Sequence, residues 1–253
     1  MLGSPNRIVR FMARLARVAV AQTPYHITHR GNRRARIFLC DTDREAYLAL
    51  LERYCRAHGL HIWAWCLMSN HIHLIAWPEH KNSIARALGN AQGKYAQWFN
   101  HQHGFSGHVW ANRFFSTPLD EEHLWTAVRY VELNPVRAGM VAAAETYVWS
   151  SAAKHCGLTQ APNAGYGGLD WCDCPFPGQV TAAGWVSWLH SGLTAELVER
   201  IRRRTMTGRP CGSASFVERL EDELNRILQP QKSGRKPKQL ENGDLTDDMF
   251  SNK

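Results

Sequence analysis

Residues 60–77 read LHIWAWCLMSNHIHLIAW, and this stretch decides the fold. It consists of two strongly apolar runs, 60–68 and 71–77, on either side of the polar pair Ser69-Asn70. Short apolar runs separated by two turn-forming residues predict two antiparallel strands joined by a tight hairpin.

The segments around the hairpin predict an α+β domain. In chain order, the expected elements are a strand over 25–29 that ends at Arg30-Gly31-Asn32, a helix from Asp41 to about Gly59, the hairpin, a helix over 82–100, a strand over Val109–Phe115 and a helix from Asp120 that carries Tyr130. The order β-α-β-β-α-β-α predicts an antiparallel, ferredoxin-like sheet with packed helices.

The rest of the chain predicts a less regular organisation. We expect a basic lead-in over residues 1–20, the α+β domain over 21–156, a linker or meander over 157–190, a helical region over 191–230 and a disordered tail over 231–253. Amphipathic patterns over 193–204 and 216–228 predict two helices around a glycine-containing turn. Such a helical C-terminal extension is either a cap on the domain or a small DNA-contacting unit.

Positive charge is concentrated in the first part of the chain. The chain has 30 Lys and Arg and 22 Asp and Glu. Residues 1–157 contain 18 of the basic and 10 of the acidic residues, so the whole net charge of +8 lies there. Such a domain attracts polyanions, and nucleic acid is the leading partner class over a merely solubilising surface. No apolar run approaches a membrane span, and we expect a cytoplasmic protein without a membrane partner.

The seven cysteines predict reduced thiols rather than a disulfide framework. Cys172 and Cys174 form a Cys-x-Cys pair, but no second pair lies nearby to complete a closed zinc site.

The strongest chemical signal is His71-Ile72-His73 in the second strand of the hairpin. Side chains alternate along a strand, so the two imidazoles point to one face while Ile72 points to the other. Two imidazoles on one face can bind one cation, although polar surface histidines at this spacing are common.

Tyr130 and Asn134 form a second pattern, because their spacing of four residues places them on one face of a helix. A phenol and an amide oxygen could therefore approach the same target. The alternatives are a core aromatic for Tyr130 and, because Pro135 follows, a helix N-cap for Asn134.

These motifs resemble the IS200-like transposases, and most of all the REP-associated tyrosine transposases. The matching runs are Tyr25-His26 with Arg30-Gly31-Asn32, Trp65 through Leu74, Arg129 through Gly139, and Tyr147 with Trp149-Ser150-Ser151. The resemblance covers roughly residues 20–155. It implies the HUH/Y1 transposase fold and an enzyme that nicks and rejoins single-stranded DNA.

Carried over by position, the resemblance implies that His71 and His73 bind Mg²⁺ or Mn²⁺ and that Tyr130 is the nucleophile. It implies that Asn134 supplies a further ligand; some relatives have Gln there, and Asn reaches less far. The expected product is a 5′-phosphotyrosine on hairpin-bearing or palindromic DNA, and the oligomeric state, monomer or homodimer, stays open.

Arginines near these motifs predict the DNA-binding surface. Four cluster around a turn and three flank the catalytic segments: Arg30, Arg33, Arg34 and Arg36, then Arg113, Arg129 and Arg137. Trp110 or Phe114 could stack on an unpaired base, although both residue types more often belong to the core.

Two other functions compete with this interpretation. A domesticated protein could bind hairpins, or regulate through them, without cutting, but it would not need His71, His73 and Tyr130 together. A zinc hydrolase would form no tyrosine adduct and would need further clustered ligands.

Overall fold

The structure, a computed structural model, describes residues 16–158 and 181–230. Most of the basic lead-in, the Cys172–Cys174 pair and the tail over 231–253 lie outside these residues. Within them, no helix has both the length and the apolar character needed to cross a membrane. The cysteines there, Cys40, Cys55, Cys66, Cys156 and Cys211, are free thiols.

A four-stranded antiparallel sheet forms the centre of the described residues. Its strands are β1 (Tyr25–Arg30), β2 (Leu60–Met68), β3 (His71–Pro78) and β4 (Phe115–Pro118). They lie in the order β2-β3-β1-β4, and every neighbouring pair is antiparallel. The ferredoxin-like α+β prediction is therefore confirmed, with the predicted hairpin formed by the edge strand β2 and the central strand β3.

Helices follow the strands in the expected alternation. They are α1 (Asp41–Ala57), α2 (Ser83–His103), α3 (Glu121–Glu132), α4 (Asn134–Arg137), α5 (Ala152–His155), α6 (Ala182–His190), α7 (Ala195–Thr207) and α8 (Ala214–Leu224). Several begin at a side-chain cap. Asp120 accepts a hydrogen bond from the backbone N–H of His123 at 2.9 Å, which explains why α3 starts there.

The two faces of the sheet are covered by different helices. On one face, Ile27, Ile72 and Leu74 are fully buried. His29 of this face stacks on Trp110, which in turn contacts aromatic rings of α1 and α2. The opposite face carries His26 and His73 and contacts α3 and α7.

The last strand lies later in the chain than predicted. Residues 109–115 were expected to form it, but β4 begins only at Phe115, and Trp110 makes a single isolated bridge to Gly31. Trp110 is buried and donates its indole N–H to the carbonyl of Gln92 at 3.0 Å, so its aromatic character serves packing. Phe114 is buried too. Both aromatic side chains therefore pack in the core and do not serve as stacking partners for a base.

The predicted linker over 157–190 is wrong for its last part, because residues 182–190 form α6. Trp185 of this helix is buried and donates its indole N–H to Glu132 of α3 at 2.9 Å. Further on, Cys211 exchanges backbone hydrogen bonds with Pro118 and Asp120 at the end of β4. The C-terminal helices are therefore built onto the sheet.

Candidate active site

A cleft of about 480 Å³ lies between the sheet on one side and helices α3, α4 and α7 on the other. Its walls are formed by side chains of six elements: His26, Thr28 and Arg30 of β1, His71 and His73 of β3, Phe115 of β4, Tyr130, Asn134, Arg137 and Ala138 around α3 and α4, and Arg202, Thr205 and Met206 of α7. The family motifs seen in the sequence thus meet at one place.

The histidine pair lies on one face of β3, as the strand alternation predicts. The ring centroids of His71 and His73 are 4.9 Å apart, and Ile72 between them is fully buried on the other face. Both imidazoles line the cleft.

Tyr130 lies against the histidines. Its ring centroid is 5.7 Å from that of His73 and 5.7 Å from that of His26. The Arg137 guanidinium lies 4.0 Å above the phenol ring and donates to the Tyr130 carbonyl at 2.9 Å. A cation thus covers the ring of the candidate nucleophile.

Asn134 is not committed to capping a helix. It is the first residue of α4, the position before it is occupied by Leu133, and no side-chain cap hydrogen bond is made. Its Nδ2 is buried without a hydrogen-bond partner, which is costly for a polar group. The amide is therefore available to a ligand in the cleft.

The imidazole of His71 is held by Asn70. Nδ1 of His71 lies 2.7 Å from Oδ1 of Asn70, while Nδ2 of Asn70 donates to the carbonyl of Arg34. Because that second bond fixes the amino group of Asn70, its oxygen accepts from His71, and Nδ1 of His71 carries the proton. Nε2 of His71 is left with a lone pair for a cation.

His26 is a residue of the site that the sequence interpretation missed. Its Nε2 lies 2.9 Å from Nδ1 of His73, and its Nδ1 lies 2.9 Å from the hydroxyl of Thr205. The sequence did contain a signal, because His26, Thr28 and Arg30 alternate with apolar residues along β1 and therefore share one face. Thr205 and Arg202 could not be linked to the site from spacing alone.

Burial keeps all three imidazoles neutral at ordinary pH. It lowers the pKa of His26 to about 3, with a smaller contribution from Arg137. It lowers the pKa of His71 to about 4, with help from Arg30 and Arg137, and that of His73 well below its usual value. A neutral imidazole is the form that binds a metal.

The side chains of the cleft suit a divalent cation that would also contact a phosphate of the substrate. In residues 16–158 and 181–230, no three His, Cys, Asp or Glu side chains are grouped to hold a metal. Two neutral imidazoles, the uncommitted amide of Asn134, water and a phosphate oxygen would together suit Mg²⁺ or Mn²⁺ better than a closed zinc site.

The predicted arginines divide into three groups. Arg30 and Arg137 line the cleft, together with Arg202, which was not predicted. The exposed group is Arg33, Arg34 and Arg36 in the turn after β1, and Arg113 beside a small neighbouring cavity.

Arg129 forms a group of its own, because its side chain is directed at the C-terminal region. It donates to the carbonyl of Gly192 at 2.7 Å, and its guanidinium lies 4.2 Å above the Trp188 ring. The structure therefore does not bring Arg129 to the cleft.

Comparison with known proteins agrees with the motifs. Residues 19–134 match the family model described as IS200-like transposase. No curated protein matches the chain.

Two solved structures are similar to the chain. One is a REP-associated tyrosine transposase bound to a REP hairpin, at 20% identity, covering 66% of this chain and 96% of that one, with a TM-score of 0.47. The other is a protein from Deinococcus radiodurans R1 assigned as a transposase, at 20% identity, covering 47% and 96%, with a TM-score of 0.34.

Proposed function

We propose that this protein is a transposase, which cuts and rejoins single-stranded DNA in a metal-dependent reaction with Tyr130 as the nucleophile. The observation that carries the proposal is the contact between the rings of Tyr130 and His73 inside one arginine-lined cleft, which His71 also lines. The phenol and the imidazoles of this contact belong to one copy of the chain.

His71, His73 and Asn134 are the residues that would hold Mg²⁺ or Mn²⁺. When bound there, the cation supplies Lewis acidity toward the scissile phosphate. The histidines are suited to this role because burial keeps them neutral and their Nδ1 atoms have protein partners.

In the proposed step, the phenol oxygen of Tyr130 attacks phosphorus and loses its proton. The bond between phosphorus and the 3′ oxygen breaks, which leaves a 5′-phosphotyrosine and a 3′-hydroxyl that takes up a proton. The phosphodiester bond is exchanged rather than hydrolysed, so a later 3′-hydroxyl can rejoin the strand without ATP. Arg137 lies above the phenol ring and supplies positive charge beside the reacting atoms.

The basic rim would bind the strand through its phosphates. Arg30, Arg137 and Arg202 come from three different elements around the cleft, and the exposed arginines of the turn after β1 extend the positive surface. Met206 is 71% exposed at the same cleft, where an apolar side chain can contact an unpaired base. We infer a hairpin with an adjacent single strand as the substrate.

The test uses a labelled pool of hairpin-bearing single strands with randomised flanks, incubated with Mn²⁺, Mg²⁺ or EDTA and resolved on a denaturing gel. We expect cleavage that requires the cation and is lost in Tyr130→Phe, which keeps the ring and removes only the hydroxyl. Equal cleavage by the Phe variant would refute the nucleophile. Hairpin binding without cleavage by the unaltered protein would instead favour the regulatory function.

A further inference from the structure

Three buried polar side chains from three elements form a continuous hydrogen-bonded line. Thr205 of α7 contacts Nδ1 of His26 on β1, and Nε2 of His26 contacts Nδ1 of His73 on β3, each at 2.9 Å. All three residues are at most 6% exposed. Thr205 also lies far beyond residues 19–134, the segment that matches the transposase family.

The line allows two arrangements of protons, because each neutral imidazole carries one N–H. In the first, His73 donates from Nδ1 to His26, and His26 donates from its own Nδ1 to the Thr205 oxygen. In the second, every bond is reversed, Thr205 donates its hydroxyl proton to His26, and Nε2 of His73 is protonated. Only the first arrangement leaves a lone pair on Nε2 of His73.

The first arrangement depends on the Thr205 oxygen, because it directs an N–H of His26 there and a buried N–H needs an acceptor. Only this arrangement lets His73 bind a cation through Nε2. The contact between Thr205 and His26 thus supports the tautomer with the proton on Nδ1 of His73.

The two cleft histidines of β3 are controlled in different ways. His71 donates to the amide oxygen of Asn70, which can only accept, so its tautomer has no alternative. His73 depends on a second imidazole and, through it, on a hydroxyl that can both donate and accept. Of the two histidines, His73 is thus the one whose tautomer α7 can influence.

We propose that Thr205 and His26 are positioning residues that hold His73 in the tautomer that presents Nε2 to the catalytic cation. The inference rests on the proposed function in taking His73 as a metal ligand. It makes α7 part of the catalytic machinery rather than only a cap on the domain. Partners behind a metal-binding histidine typically change metal affinity by about 10- to 100-fold.

The test compares the full-length protein with Thr205→Val, which removes the hydroxyl and keeps the shape, and with Thr205→Ser, which restores it. Thr207→Val is the matched control, because the Thr207 hydroxyl lies on the same helix and bonds the carbonyls of Arg203 and Arg204. Two readouts are independent of cleavage: ¹⁵N NMR of the His73 ring in metal-free protein, and Mn²⁺ affinity from EPR titration.

We expect His73 to carry its proton on Nδ1 in the unaltered protein, in Thr205→Ser and in Thr207→Val. In Thr205→Val we expect a tautomer mixture and an Mn²⁺ affinity lower by about 10- to 100-fold. The proposal is overturned if His73 carries its proton on Nε2 in the unaltered protein, or if Thr205→Val matches Thr207→Val in both readouts.

The proposed function can fail separately from this contact. If Thr205→Val changes the His73 tautomer as expected but the unaltered protein binds no Mn²⁺, the positioning contact is supported and the proposed metal site is wrong. If Thr205→Val lowers the Mn²⁺ affinity but cleavage does not require Tyr130, the positioning role is supported and the assignment of Tyr130 as the nucleophile is wrong.

Discussion

Neighbouring residues of β3 face two different environments. Ile72 and Leu74 have no exposed surface on the face that belongs to the core, while His71 and His73 line the cleft on the other face. The same division holds on β1, where Ile27 is fully buried in the core and Thr28 lines the cleft. The alternation of a strand thus separates stability from chemistry within a few residues.

The largest expected effect comes from removing both imidazoles of the cleft face. His71→Ala with His73→Ala should lower cleavage by at least about 100-fold, the scale seen when one electrostatic contact to developing charge is lost. The free energy of unfolding should fall by only about 1–3 kcal/mol, because His26 loses its buried hydrogen-bond partner while the apolar core is kept. Gel assays and urea unfolding of the same preparations check both statements; cleavage at the normal rate would remove the metal role.

The matched change on the core face is Leu74→Ala, one residue beyond His73. It should lower the free energy of unfolding by about 2–5 kcal/mol, because a fully buried leucine leaves a cavity. Cleavage per folded molecule should be unchanged at a temperature where the variant remains folded. A variant that keeps its stability but loses activity would contradict the division between the two faces.

Two arginines separate a residue that lines the cleft, Arg202, from a residue that only stabilises the fold, Arg129. Arg202→Ala should weaken single-strand binding a few-fold and reduce the slope of log affinity against log salt by about 0.7. Arg129→Ala should leave that slope unchanged and lower stability, because its guanidinium is bound to Gly192 and Trp188. Fluorescence anisotropy at several salt concentrations measures the slopes, and equal slopes for the two variants would argue against Arg202 as a phosphate contact.

A further expected effect is a pH dependence of stability that arises on the cleft face. The pKa of His26 is lowered to about 3 and that of His71 to about 4 by burial, against about 6.5 in an unfolded chain. The unfolded state therefore takes up protons below about pH 6.5 that the folded state does not, and stability falls as the pH falls from there toward 4. His26→Gln should flatten this decline in urea unfolding; parallel profiles would show that His26 does not contribute.

Much of the fold could be predicted because its signals are local. The β2–β3 hairpin follows from two apolar runs and a polar pair, and the start of α3 follows from the capping Asp120. The position of β4 could not be predicted, since Trp110 and Phe114, whose aromatic character suggested the strand, are buried for packing outside it. Helix α6 was missed because Trp185 is fixed by Glu132, 53 residues earlier in the chain.

The site was predictable to the extent that its residues lie in family motifs. His71, His73, Tyr130 and Asn134 were named from spacing and resemblance, and the structure brings them to one cleft. His26 was missed although its strand showed the right alternation. Thr205 and Arg202 reach the cleft only because α7 packs across β1 and β4, a tertiary contact that no local pattern encodes.

The most direct test of the central claim is to find the residue that becomes attached to DNA. After reaction with a cleaved strand and Mn²⁺, the protein is denatured, digested with nuclease and trypsin, and analysed by mass spectrometry. The account predicts a nucleotide adduct on the peptide 130–137, whose one tyrosine is Tyr130. An adduct on another peptide, or cleaved strands that accumulate with no adduct at any time, would contradict it.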